Sequence, residues 1–184
     1  MAEAITLYGI QEVDPITGET IITMEVGGQR VKFISLSDER REGLRVELPG
    51  GLLLGREVQY GTNGETRERI RYPDGTACIR TIANGSGWQN AHSHQKVRES
   101  YLIRSGQVLF VELHGNEELH GRMYCEGEEF RTIPGRPHNL YVFAGADFLT
   151  VKYGGGAKDW IASPRLDALT QSLDEAAILA RFPS

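Results

Sequence analysis

Short runs of alternating apolar and polar residues, each closed by a cluster of Gly, Pro, Asn or Asp, fill the chain up to about residue 160. That rhythm narrows the fold more than any other feature, because alternate residues of a strand point to opposite faces and each run has one apolar face to bury. Many short strands at close spacing bury those faces as a sandwich or a closed barrel, and closure also removes exposed strand edges. The 22 glycines among 184 residues supply the turns that such a chain needs.

The runs can be placed one by one. Residues 5–10 read as a first strand, 14–18 (Asp-Pro-Ile-Thr-Gly) as a turn, and 20–26 with 30–35 as a hairpin across Gly27 and Gly28, together a small accessory sheet. Residues 37–50 are charged and end in a turn at Leu48, Pro49, Gly50 and Gly51. Residues 66–72 and 77–82 flank Pro73, Asp74 and Gly75 as a second hairpin. Regular strands follow at 88–94, 99–104, 107–113, 119–125, 130–133, 138–143 and 147–153. They are separated by turn cues at Ser105 and Gly106, at His114 to Glu118, at Glu126 and Gly127, and at Ala144 to Ala146. After Gly154, Gly155 and Gly156 the period changes. Ser163 can cap, Pro164 suits a first helical position, and Leu166, Leu169, Leu173, Ala177 and Phe182 form one apolar stripe. A single amphipathic helix is expected there, packed on its own barrel or on a second copy in a homodimer.

Composition excludes several functions. The formal net charge of -5 argues against a nucleic-acid partner, which calls for a basic face. No apolar run approaches the ~18 residues of a membrane span, and the first residues show no basic start followed by an apolar run, so a cytoplasmic protein without a membrane partner is expected. Cys78 and Cys125 have no close ligand spacing and read as strand thiols. Neither a GxGxxG or Walker loop nor a Gly-x-Ser-x-Gly elbow is present, which disfavours a nucleotide-cradling enzyme and a serine hydrolase.

The chemistry concentrates at five histidines, at 92, 94, 114, 120 and 138. On a strand, His92 and His94 emerge on one face and can reach one metal ion. Glu99 follows five residues later, then Gly106, and further on the run Ile133-Pro134-Gly135-Arg136-Pro137-His138. Three imidazoles and a carboxylate suit Fe(II), Mn(II), Ni(II), Co(II) or Zn(II), and octahedral geometry would leave two positions open for water or substrate. His114 and His120 flank a turn and lack ligand spacing to each other.

His92, His94, Glu99 and Gly106 resemble the first sequence motif of the cupin superfamily, and Gly127, Pro134, Gly135 and His138 resemble the second. Gly87 stands one residue closer to His92 than the motif has it, and Val142 stands where the motif usually has Asn. The resemblance covers roughly residues 66–153. It implies an all-β, cupin-type jelly-roll β-barrel over 66–153 within one domain of 1–184, with an N-terminal β extension over 1–65 and a C-terminal tail and helix over 154–184. It also implies one divalent metal ion held by His92, His94, Glu99 and His138, and a small-molecule ligand. The function expected is that of a metal-dependent isomerase or epimerase of a sugar-like or keto substrate, or of an Fe(II) dioxygenase. The other reading is a regulatory, non-catalytic binder. Strand parity adds second-tier candidates: Trp88 and Asn90 on the face of His92 and His94, and Tyr101 on the face of Glu99. Trp88 and Arg80 are candidates for substrate binding, Asn90 and Tyr101 for catalysis. Arg98 and Arg136 read as loop charges, and Glu126, Glu128 and Glu129 as a solvated turn.

Overall fold

The computed structural model describes residues 10–26, 28–38, 41–50, 53–115, 118–155 and 159–183. Residues 5–9 of the expected first strand, and the turn residues Gly27, Gly51, Asn116, Glu117 and Gly156, lie outside them. The described strands are β1 (Ile10–Val13), β2 (Thr20–Val26), β3 (Gln29–Asp38), β4 (Arg41–Glu47), β5 (Leu53–Tyr60), β6 (Glu65–Arg71), β7 (Ala77–Ala83) and β8 (Gly87–Trp88). They continue with β9 (His92–His94), β10 (Arg98–Ser105), β11 (Gln107–Leu113), β12 (Leu119–Cys125), β13 (Glu129–Arg131), β14 (His138–Val142), β15 (Asp147–Tyr153) and β16 (Trp160–Ala162). Two short helices follow, α1 (Pro164–Thr170) and α2 (Glu175–Arg181).

The strands form two antiparallel sheets, in the order β1-β2-β3-β4-β5-β6-β7-β15-β10-β13 and β12-β11-β14-β9-β16, with β8 attached to β14. This is the all-β jelly roll expected from the strand rhythm. The sheets meet through Tyr101, Ile103, Phe130 and Phe148 from the larger and Val108, Phe110, Leu140 and Val142 from the smaller. Alternation does the sorting: in β7 the residues Ala77, Ile79, Thr81 and Ala83 are buried and those between them half-buried. β14 is buried at all five positions because its other face, with Leu109 and Val111 of β11, lies under Leu166, Ile178 and Phe182 of the C-terminal segment.

Three expectations are corrected. The first third of the chain is not an accessory sheet: β1 to β6 run as an uninterrupted meander onto β7. Residues 37–50, read only as a charged stretch ending in a turn, contain the strand Arg41–Glu47, paired on both sides, to β3 and β5. The single C-terminal helix is two, because Asp174 starts a new one by accepting the Ala177 amide at 2.8 Å. Leu169 consequently faces solvent, while Leu166 and Ile178 are buried. Ser163 holds the N-cap position of α1 without a side-chain cap bond, and Pro164 enters the helix as expected.

Gly106 turns β10 into β11 with φ of 69°, and a Cβ there would lie 2.9 Å from Ala146 Cα and 3.0 Å from its nitrogen. Both contacts are to backbone, which cannot swing away. Gly106→Ala should therefore destabilise the protein by about 2–3 kcal/mol, read as a lower urea midpoint at unchanged slope.

Candidate metal centre

His92 and His138 are opposed in the small sheet, directly paired between β9 and β14. Glu99 comes from β10 of the large sheet, so the group closes across the interior. One ligand atom from each of His92, Glu99 and His138 falls within a mutual 4.8 Å, and all three residues are buried. The Nε2 atoms lie 2.9 Å (His138) and 4.0 Å (His92) from Glu99 Oε2. His94 meets the other oxygen, with Nε2 3.4 Å from Oε1, but stands outside the mutual group.

The ring tautomers follow from their outer partners. His92 Nδ1 lies 2.9 Å from the Asn90 carbonyl oxygen, His94 Nδ1 2.9 Å from that of Asp159, and His138 Nδ1 3.1 Å from that of Arg136. A carbonyl oxygen only accepts, so each Nδ1 carries the proton and donates it. In the neutral ring this leaves three Nε2 lone pairs directed toward a carboxylate that also only accepts. His92 Nε2 and Glu99 Oε1 are buried without a hydrogen bond. A cluster of buried acceptors with backbone-fixed tautomers fits a divalent cation, and carbonyl partners of this kind also orient metal-bound imidazoles.

Electrostatics hold the ligands in their binding forms. Burial, and then the neighbouring His138, push His92 down to about 3 from an ordinary 6.5. Burial works to raise Glu99, but the cationic forms of His138 and His94 and the Lys152 ammonium together outweigh it and keep the carboxyl well below its usual range. Lys152 forms an ion pair with Glu99 Oε1, at angles that give no hydrogen bond, and its Nζ lies 3.4 Å from His94 Nε2. The unfolded chain thus takes up a proton at His92 that the folded chain refuses between about 6.5 and about 3. Stability should fall as pH drops through that window, by about 1.4 kcal/mol per pH unit for one proton. The stabilisation from ionised Glu99 is lost in the same direction at still lower pH, through its depressed folded value. Urea melts of metal-stripped protein across this range check it, and His92→Asn should flatten the upper part of the slope.

Tyr101 donates its hydroxyl to Glu99 Oε2 at 3.0 Å, and burial followed by the Glu99 charge raises it well above its usual value. It therefore stays protonated and is a donor rather than a base. Tyr101 and Asn90 both line the cavity beside His92, which Trp160, Thr150 and Lys152 also line. Trp88 is elsewhere, and this corrects the parity argument. The expected strand over 88–94 splits into β8 and β9, with residues 89–91 outside the ladder, so parity does not carry across. Trp88 packs edge-on to Tyr141 at 5.2 Å and donates Nε1 to the Leu173 carbonyl freed by the break between the helices. Arg80 is likewise not at the cavity. It points to the outer face of β7 and is held by Asp147, at 2.8 Å from Nη2 and 3.2 Å from Nε.

Lys152, Arg67, Arg69, Asp159 and Trp160 were not anticipated. Lys152 was open to discovery, since it alternates with buried Phe148 and Thr150 and pairs with Glu99 across β15 and β10. Asp159 and Trp160 follow a glycine run and carry no periodic signal. Asp159 accepts the amides of Gln95, Lys96 and Val97 at 3.0, 2.7 and 2.6 Å, which fixes the loop after His94. Trp160 stacks on His92 with ring centroids 5.6 Å apart. Asp159→Ala should release that loop together with the carbonyl that orients His94. Competition with a fluorescent chelator should show metal affinity lower by about tenfold.

His114 and His120 stack on each other at 4.0 Å beside the β11–β12 turn. They take no part in the interior group.

The fold is thus a jelly roll of two antiparallel sheets with a buried group of imidazoles and a carboxylate between them. No family model matches the chain, and no curated protein matches it. Among solved structures it is similar to the Bacillus subtilis oxalate decarboxylase at pH 4.6, at 17% identity and a TM-score of 0.48, over 65% of this chain and 32% of that one. The Lactobacillus farciminis oxalate decarboxylase formate complex gives 16% and 0.46, over 67% and 40%. Peruvianin-I, a cysteine peptidase from Thevetia peruviana latex, gives 13% and 0.48, over 56% and 69%. The chain spans about a third of the length of the Bacillus decarboxylase chain. No helix of the described residues is long and apolar enough to cross a membrane.

Proposed function

We propose that the chain is a cupin that binds one divalent metal ion through His92, Glu99 and His138, with His94 completing the set, and acts as an enzyme on a small oxygen-rich substrate. The observation that carries this reading is that His92 Nε2 and Glu99 Oε1, both buried without a hydrogen bond, converge with His138 and His94 beside an open cavity. When bound, the ion supplies Lewis acidity toward a carbonyl or hydroxyl oxygen. The chain's own groups supply the rest. Tyr101 holds a proton on its hydroxyl beside Glu99, and Lys152 sets a positive charge against Glu99 and His94. Trp160 and Asn90 shape the cavity wall.

Proton carriers beside a carbonyl-polarising ion favour isomerase or epimerase chemistry on a keto or sugar-like substrate over oxygen insertion. Elemental analysis of purified protein, followed by hydrogen exchange into keto acids and keto sugars in deuterated water, tests the reading. Metal-dependent exchange without oxygen uptake supports it. Substrate-linked oxygen consumption by an iron form would replace it with the dioxygenase. Ligand binding with neither would make the protein a binding cupin.

A further inference from the structure

Directly paired residues of neighbouring strands share a face, and in β6 the residues paired with buried Ala83, Thr81, Ile79 and Ala77 are Glu65, Arg67, Arg69 and Arg71. Three arginines therefore alternate along the inner face of the large sheet. Lys152 stands in the same row as Arg71, through Ala77. These four cations meet three carboxylates. Arg67 grips buried Glu65, with Nε at 2.8 Å and a second contact from Nη2. Lys152 faces Glu99. Arg69 and Arg71 share Glu57, at 3.7 and 3.5 Å. In a chain of formal net charge -5, this is a local positive excess, and a bound divalent ion adds to it.

Arg69 is the least compensated of the four. Its side chain is 18% exposed, and among the described residues the carboxylate paired with it, that of Glu57, stands beyond hydrogen-bond reach and serves a second arginine. Burial and the Arg71 charge both push its guanidinium down. A guanidinium does not give up its proton in this range, so a half-buried one calls for an anion. Arg67 and Arg69 line the same cavity as His92, Glu99, Tyr101 and Lys152. That cavity holds about 210 Å³, room for about seven waters at ~30 Å³ each.

We infer that this cavity takes a small ligand bearing a carboxylate or phosphate, its anionic group held by Arg69 and Arg67 and its other end directed toward Glu99 and the histidines. The inference rests on reading the cavity as the substrate site and makes Arg69 the residue that sets specificity. The planar fork of a guanidinium matches either oxyanion through paired hydrogen bonds, which a neutral amide cannot return.

Calorimetric titration of the full chain, metal-stripped and metal-loaded, tests this with malonate, its uncharged isostere malonamide, and inorganic phosphate. Malonate or phosphate should bind, the tighter of the two naming the source, and malonamide should not. Arg69→Gln should weaken anion binding by about ten- to a hundred-fold. Arg69→Lys should lose less, and Arg80→Gln, the same charge change on the outer face, should leave binding as it was. Malonamide binding as well as malonate overturns the inference. So does wild-type affinity in a folded Arg69→Gln, an equal loss in Arg80→Gln, or no binding of either anion. If Arg69→Gln fails to fold, the Arg69→Lys series and the malonamide comparison decide. Arg69-dependent anion binding in a protein that takes up no metal keeps this inference while sinking the metal-enzyme reading. Metal uptake without anion binding does the reverse.

Discussion

Metal-stripped protein given a divalent ion at a hundred times its dissociation constant should melt about 5–10 °C higher, and the His92→Ala/His138→Ala variant should show no such rise. Binding to the folded state alone at that excess is worth ~2.7 kcal/mol, and a chain of this size gains roughly 2–4 °C per kcal/mol. The double variant removes two of the three groups that stand within 4.8 Å of one another and leaves Glu99 facing Lys152 and His94. Scanning calorimetry at matched free-ion concentrations reads the shift. An equal rise in wild type and variant would place the ion somewhere else on the molecule.

Phe148→Ala should lower stability by about 3–5 kcal/mol, and the melting temperature by roughly 10 °C or more. Phe148 is 1% exposed and packs among the residues that join the two sheets, and it also lines the cavity. Its ring lies 6.2 Å from that of Tyr101, which reaches Glu99. A void at this point would therefore loosen the support of a cavity donor as well as the core. Phe148→Leu keeps most of the volume and should recover more than half of the loss in a urea melt.

The regularity of strands made the two-sheet fold legible in the sequence, and the resemblance to the two motifs pointed to His92, His94, Glu99 and His138. Those four residues sit on strands, where alternate residues share a face. The misplaced residues lie where that logic lapses. Trp88 is separated from His92 by three residues outside any ladder, so its face follows from the Gln89 amide bonding to the Leu140 carbonyl and not from counting. β4 and β5 were obscured because neither face of that part of the sheet is a continuous apolar stripe: Arg45, Glu57 and Arg56 interrupt the pattern and Leu44 and Leu54 remain exposed. The cavity arginines were hidden for the same reason. Arg67, Arg69 and Arg71 alternate as inner-face residues do, but a charged residue on a strand ordinarily marks the solvent side. Only the pairing with β7 shows that they face inward.

The small sheet is completed by a strand that arrives late. His94 is oriented by the carbonyl of a residue 65 positions further on, and β16 pairs with β9 only after β10 to β15 have been laid down. During synthesis at ~5–20 residues per second, the histidine strand therefore waits several seconds for its neighbour. Until then its edge is open and His94 lacks the acceptor that sets its tautomer. Enclosure of the histidine group therefore waits on residues 159–162, and until they have been made the group stays open on that side.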